Sequence, residues 1–154
     1  MGNESSNINK LKIKGKRYLD RGYFDKASDI FEQILKIEPE NLFALDKIGV
    51  ISARRGVLDE AEYYFNKVLS IDHRYKTALN NLGNVYLERG EYEHAKSCYS
   101  RAIEIDENYA QVYHNLAIAY KKEGDIYNYL KNLKKSVRLA KRQTLGKVIR
   151  WFRG

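Results

Sequence analysis

Apolar residues along this chain recur at helical spacing and are interrupted at regular intervals by short glycine-containing turns. Residues 76–109 show the unit most clearly. Leu79, Leu82, Gly83 and Tyr86 follow i, i+3, i+4, i+7, one face of a helix. Arg89-Gly90-Glu91 reads as a stop and a turn. Tyr92, Ala95, Tyr99, Ala102 and Ile103 then make a second apolar stripe, and Ile105-Asp106-Glu107 leads into the next unit. The pattern predicts a pair of amphipathic helices joined by a tight turn.

That unit repeats. Gly22, Gly56, Gly90 and Gly124 stand 34 residues apart, and the same period relates Gly15, Gly49 and Gly83; Ala27, Ala61 and Ala95; and Phe31, Phe65 and Tyr99. A fixed period of this size means one supersecondary unit stacked in a line. The small residues have a physical task. Gly83 and Ala95 lack bulk, so paired helices can approach closely, while Tyr86 and Tyr99 fill the space beside them with large rings. A fold of this kind displays a surface, which makes binding the default function and catalysis improbable.

These columns resemble the tetratricopeptide repeat, whose pattern sets Leu, Gly, Tyr, Gly, Ala, Phe, Ala and Pro at fixed places in 34 residues. The first unit matches with Leu11, Gly15, Tyr18, Gly22, Ala27, Phe31 and Pro39, and the second with Leu45, Gly49, Gly56, Ala61 and Phe65. The third matches with Leu79, Gly83, Tyr86, Gly90, Ala95, Tyr99 and Ala102. The fourth keeps Tyr113, Ala117, Tyr120 and Gly124, then departs: Tyr129 replaces the small residue and Leu133 the aromatic. A tyrosine there should widen or turn the last helix pair. The resemblance implies an all-α, right-handed solenoid of four helix pairs, at 8–41, 42–75, 76–109 and 110–143. Residues 1–7 read as a flexible tail. Residues 144–154 read as a separate basic amphipathic helix, with Leu145, Val148, Ile149 and Phe152 on one stripe, that caps the last pair.

Charge adds a second layer. The chain carries a formal net charge of +8. Residues 1–125 nearly balance, with 19 Lys/Arg and 20 Asp/Glu, whereas residues 126–154 hold nine Lys/Arg and no acid. A smaller basic cluster, Lys10, Lys12, Lys14, Lys16 and Arg17, opens the first helix. Such asymmetry points to acidic partners. The single cysteine, Cys98, permits no internal disulfide and fits a reducing, cytoplasmic setting. Met1 to Asn9 has no apolar core of a secretory signal. Met1 to Ser6 fits the loose myristoylation pattern, but reads more simply as a polar tail.

Candidate chemistry is sparse. His73, His94 and His114 have no Cys or His at ligand spacing, and every glycine is accounted for by a helix contact or a turn. No enzyme activity, cofactor, metal or small-molecule substrate is expected. Nucleic acid is disfavoured, because no recognition motif accompanies the basic residues.

The resemblance further implies that first helices line a concave groove. Lys12 and Lys16 then point inward from the first unit, and Phe43, Lys47, Val50 and Arg54 from the second. The third unit supplies Asn80, Asn81 and Asn84, and the fourth Gln111, His114, Asn115, Ile118 and Lys122. Asp20, Asp46, Leu87, Glu88 and Lys121 fall on the same faces. Asparagines are poor helix formers, yet each offers a donor and an acceptor to a peptide backbone. Asn81 and Asn115 share one column, and the run from Ala78 to Tyr86 resembles the asparagine-ladder repeats of O-GlcNAc transferase, which implies backbone capture. The family's carboxylate clamp is not reproduced. Lys12 matches its opening lysine, but Lys16 and Lys47 stand where asparagines belong, and Thr77 and Asn81 replace its Lys/Arg pair.

The expected function is a protein-interaction scaffold whose groove takes an extended peptide or a partner helix, mildly acidic by preference. The alternative is an adaptor held at an anionic membrane or an acidic partner by Lys147, Arg150, Trp151, Phe152 and Arg153.

Overall fold

The computed structural model describes residues 2–153, with side chains described for residues 6–147. The described residues form eight helices and no strand. They are α1 (Gly2–Asp20), α2 (Phe24–Ile37), α3 (Leu42–Arg54), α4 (Leu58–Ile71), α5 (Lys76–Arg89), α6 (Tyr92–Ile105), α7 (Ala110–Glu123) and α8 (Ile126–Arg153). They fall into two compact units, Met1–His73 with α1–α4 and Arg74–Gly154 with α5–α8.

Within the first unit, α1 pairs with α2 and α3 with α4, and α2 also packs on α3. Phe31, Ile34, Leu45, Ile51, Phe65 and Val68 are its most deeply buried large side chains. In the second unit α5 pairs with α6 and α7 with α8, while α7 also lies against both α6 and α5. Its core is built on Leu79, Val85, Tyr99 and Val112.

The 34-residue glycine column ends each first helix. Gly90 has φ +80°, a left-handed conformation that glycine adopts without a Cβ penalty. There the Gly90 N–H donates to Leu87 O at 3.1 Å and the Glu91 N–H to Tyr86 O at 2.8 Å. This pair of bonds closes the helix end and satisfies two terminal carbonyls.

The other glycine column sets how closely each pair packs. A Cβ on Gly83 would lie 2.5 Å from Tyr99 Cε1; on Gly15, 2.6 Å from Phe31 Cε1; on Gly49, 2.7 Å from Phe65 Cε1. Each ring therefore rests on bare backbone of its partner helix. The fourth pair has Ala117 and Leu133 at these two columns. Its Tyr129 is half-buried, whereas Ala27, Ala61 and Ala95 in the same column are fully buried.

Both chain ends depart from the sequence expectation. Residues 2–7 are not a tail, because α1 begins at Gly2. No glycine or proline lies between Asn3 and Lys14 to stop the helix, and Ile8 is buried in the first unit's core. Residues 144–153 are not a separate helix either, and of the expected capping stripe Val148, Ile149 and Phe152 lie outside the residues with described side chains. α8 runs unbroken from Ile126 to Arg153, since Arg142-Gln143-Thr144 contains no helix breaker. Thr144 Oγ1 instead donates to Ala140 O at 3.0 Å, within the same helix. Leu145 is 61% exposed, so this part of the stripe does not cover the fourth pair. The first half of α8 does so: Leu139 is buried, and Ser136 Oγ donates to Ala110 O at 2.8 Å.

Candidate functional site

Two surfaces carry the sequence-predicted residues, one on each unit. On the first unit, Asn41 starts α3 by accepting the Ala44 N–H at 3.1 Å, a side-chain cap that satisfies one orphan donor. This places Phe43 in the first turn, half-buried and edge-on to Phe31 at 6.0 Å. The ammonium groups of Lys12 and Lys47 stand 5.7 and 5.3 Å from the Phe43 ring centroid. Such contacts contribute roughly 0.5–1 kcal/mol each at exposed sites. Lys16 is exposed one turn further along α1, and Val50 is half-buried one turn further along α3. Arg54 is exposed and donates to Leu19 O at 3.3 Å.

Asp46, expected on the groove face, is fully buried and pairs with Lys47 Nζ at 2.7 Å. Its charge is spent inside the fold, because a buried carboxylate needs a partner. The α1–α3 face is therefore more positive than its sequence suggests, with exposed Asp20 its opposing acid.

On the second unit the amides do meet, but largely each other. Asn115 Nδ2 donates to Asn80 Oδ1 and to Asn84 Oδ1, both at 2.9 Å. The Tyr99 hydroxyl donates to the same Asn84 oxygen at 2.8 Å, and Gln111 Nε2 donates to Asn115 Oδ1 at 3.0 Å. Asn80 and Asn115 are buried. They act as a polar tie between α5 and α7, so the Asn81–Asn115 column is not a row of equivalent open amides. Asn81 is half-buried, with its oxygen 3.5 Å from Asn80 Nδ2. Asn84, Gln111, His114, Lys121 and Lys122 are exposed and Ile118 is half-buried. A shallow pocket of about 570 Å³ opens there, with Asn84, Leu87, Glu88, Asn115, Ile118 and Lys122 in its lining.

Two contributors escaped the sequence reading. Tyr99 is a core ring whose hydroxyl orders the amides, and burial pushes its phenol well above the ordinary value. Lys96 on α6 bonds Glu123 at 2.8 Å and Glu93 at 2.6 Å, and lies 5.1 Å over the Tyr120 ring. Burial acts to lower the Lys96 pKa, but the hydrogen bonds to Glu123 and Glu93 outweigh it and raise it. Its column holds Ser28, Glu62 and Leu130, so no repeat signal marks it.

Of the C-terminal candidates, Lys147 is exposed, while Arg150, Trp151, Phe152 and Arg153 lie outside the residues with described side chains. Among the described residues, no group of three or more His, Cys, Asp or Glu could hold a metal ion. None of their helices is long and apolar enough to cross a membrane.

Family models described as a TPR repeat and a tetratricopeptide repeat match residues 83–124 and 110–143. Residues 83–143 therefore carry tetratricopeptide repeats, and the chain resembles that family. Its fold class is the all-α tetratricopeptide solenoid, and solved structures agree. MamA superposes with a TM-score of 0.75 at 22% identity, covering 90% of this chain and 81% of that one. The Sgt2 TPR domain from Aspergillus fumigatus gives 0.71 at 25% identity, covering 77% and 80%. An O-GlcNAc transferase from Thermobaculum terrenum gives 0.72 at 22% identity, covering 75% of this chain but 22% of that one. No curated protein matches the sequence.

Proposed function

We propose that this tetratricopeptide-repeat protein is a non-catalytic scaffold that takes an extended, mildly acidic peptide along its first helices. The family fold supports a protein-interaction role in general. The acidic preference rests on one observation, the Lys12 and Lys47 ammonium groups 5.7 and 5.3 Å from the Phe43 ring centroid, with Lys16 and Arg54 exposed on the same two helices. The ring supplies apolar contact area, and the ammonium groups select carboxylates beside it. On the second unit Asn84, Gln111, His114, Lys121 and Lys122 are exposed polar groups that a peptide could use. Asn80 and Asn115 serve by holding α5 and α7 in place.

Fluorescence anisotropy with a labelled acidic peptide and its lysine-for-glutamate counterpart tests the reading. Reversing Lys12 and Lys16 to glutamate should weaken the acidic peptide on the order of ten-fold at low salt. The effect should shrink at physiological ionic strength, where exposed charges are screened beyond about 8 Å. Equal binding of the two peptides would remove the acidic preference.

The exposed Lys147 and Leu145 on the acid-free C-terminal segment favour a second reading, a peripheral contact with anionic membrane. Sedimentation with phosphatidylserine vesicles tests it.

A further inference from the structure

α7 lies on α6 and touches α5, and three side chains hold it there. Lys96 on α6 bonds Glu123 and covers Tyr120, while Asn80 and Asn84 on α5 bond Asn115. Moving these receiving positions by one 34-residue period gives the surface that the fourth pair presents in turn. Lys96 becomes Leu130, Asn80 becomes His114, and Asn84 becomes Ile118. Ile103 of α6 becomes Val137 and Tyr92 becomes Ile126. The polar attachments of the third pair are thus replaced by a mostly apolar set.

That set is open. Ile126 is 55% exposed, Leu130 56% and Val137 46%. Exposed Lys121 and Lys122 border it on α7, and exposed Lys134 and Lys141 on α8. No acid follows Asp125 anywhere in the sequence. We propose that the α7–α8 face is a docking site for an acidic amphipathic helix of a partner protein. This helix lies where a further repeat's first helix would continue the packing of α7 on α6.

Charge and the placement of the apolar residues select this occupant over the others. A second copy stacked head to tail would bring α1, with exposed Lys10, Lys14, Lys16 and Arg17, against a basic helix. On the side of α8 turned away from Ser136 and Leu139, exposed Lys134, Arg138 and Lys141 stand between Tyr127 and Leu145. A planar anionic bilayer would engage those charges with Tyr127 and Leu145 beside them, not Ile118 on α7. A helix along the flank meets Leu130, Val137 and Ile118 together, and its glutamates reach the lysines at either edge. The site uses no residue of the α1–α3 peptide face, although it shares Lys122 and Ile118 with the second unit's peptide surface.

The probe is a fluorescein-labelled amphipathic peptide with leucines on one face and glutamates on the other. Its scrambled sequence is the control. The protein variant is Leu130→Lys with Val137→Lys, both exposed positions; Leu130→Gln with Val137→Thr is a milder second pair. Helical docking requires that wild type prefer the amphipathic peptide over the scrambled one. It also requires that both variant pairs weaken binding by at least about ten-fold, although the lysine pair gains positive charge. In the Lys12→Glu, Lys16→Glu background, where acidic peptide is weakened at the α1–α3 face, the preference for the amphipathic over the scrambled peptide should persist, which separates the two sites. Equal binding of scrambled peptide, or undiminished binding by the lysine variant, overturns the proposal in favour of plain charge attraction. Wild type that ignores the peptide but pellets with phosphatidylserine vesicles overturns it in favour of a membrane. Self-association abolished by the variants overturns it in favour of a second copy.

Discussion

The Asn115 side chain on α7 donates to the Asn80 oxygen on α5 at 2.9 Å, and both residues are buried. Removing Asn115 therefore leaves a buried acceptor without its donor. Asn115→Ala should lower stability by about 1–3 kcal/mol, measured by urea unfolding. Gln111→Ala, at an exposed donor to the same network, should cost far less. An unchanged midpoint for Asn115→Ala would mean that this amide is free for a ligand after all.

Gly83 supports Tyr99, and alanine at this position reverses the usual helix rule. In an open helix, alanine stabilises relative to glycine by about 1 kcal/mol. Here the new methyl would sit 2.5 Å from the Tyr99 ring, and overpacking costs about 1–3 kcal/mol, occasionally more. Gly83→Ala should destabilise in a thermal melt, and in a Tyr99→Leu background the same alanine should cost less than it does beside the tyrosine ring.

Acid should weaken the second unit through identified carboxylates. The hydrogen bond from Lys76 holds Asp106 below the ordinary carboxylate value. The bond from Lys96 does the same for Glu93, and the Asn128 backbone N–H for Asp125. As pH falls, the unfolded chain takes up protons first. The stability these groups contribute is complete above the ordinary range, about pH 4, and is lost as pH drops through their lowered folded values. Melting temperature should therefore fall on acidification, and Asp106→Asn should flatten part of that fall.

Cys98 is 6% exposed on α6, so its thiol should react with a disulfide reagent only as the fold opens. The labelling rate should rise together with loss of helical signal in a urea series. Fast labelling in buffer would contradict this packing.

The fold was legible in the sequence because its determinants are local and repeated. Glycine at 22, 56, 90 and 124 is needed wherever the backbone turns left-handed, and the Gly–aromatic columns register the contact within each pair. Such constraints recur every period, so four copies amplify one signal. Tertiary structure decided what each groove residue does. Asn80 and Asn115 read as open ligand donors until α5 and α7 are set side by side, when the amides satisfy each other. Asp46 reads as a surface acid until its helix packs and buries it beside Lys47. Periodicity assigns a side chain to a face of its helix. Whether that face meets water or a neighbouring helix depends on packing between distant residues, and that also decided where the exposed apolar stripe of α8 lies.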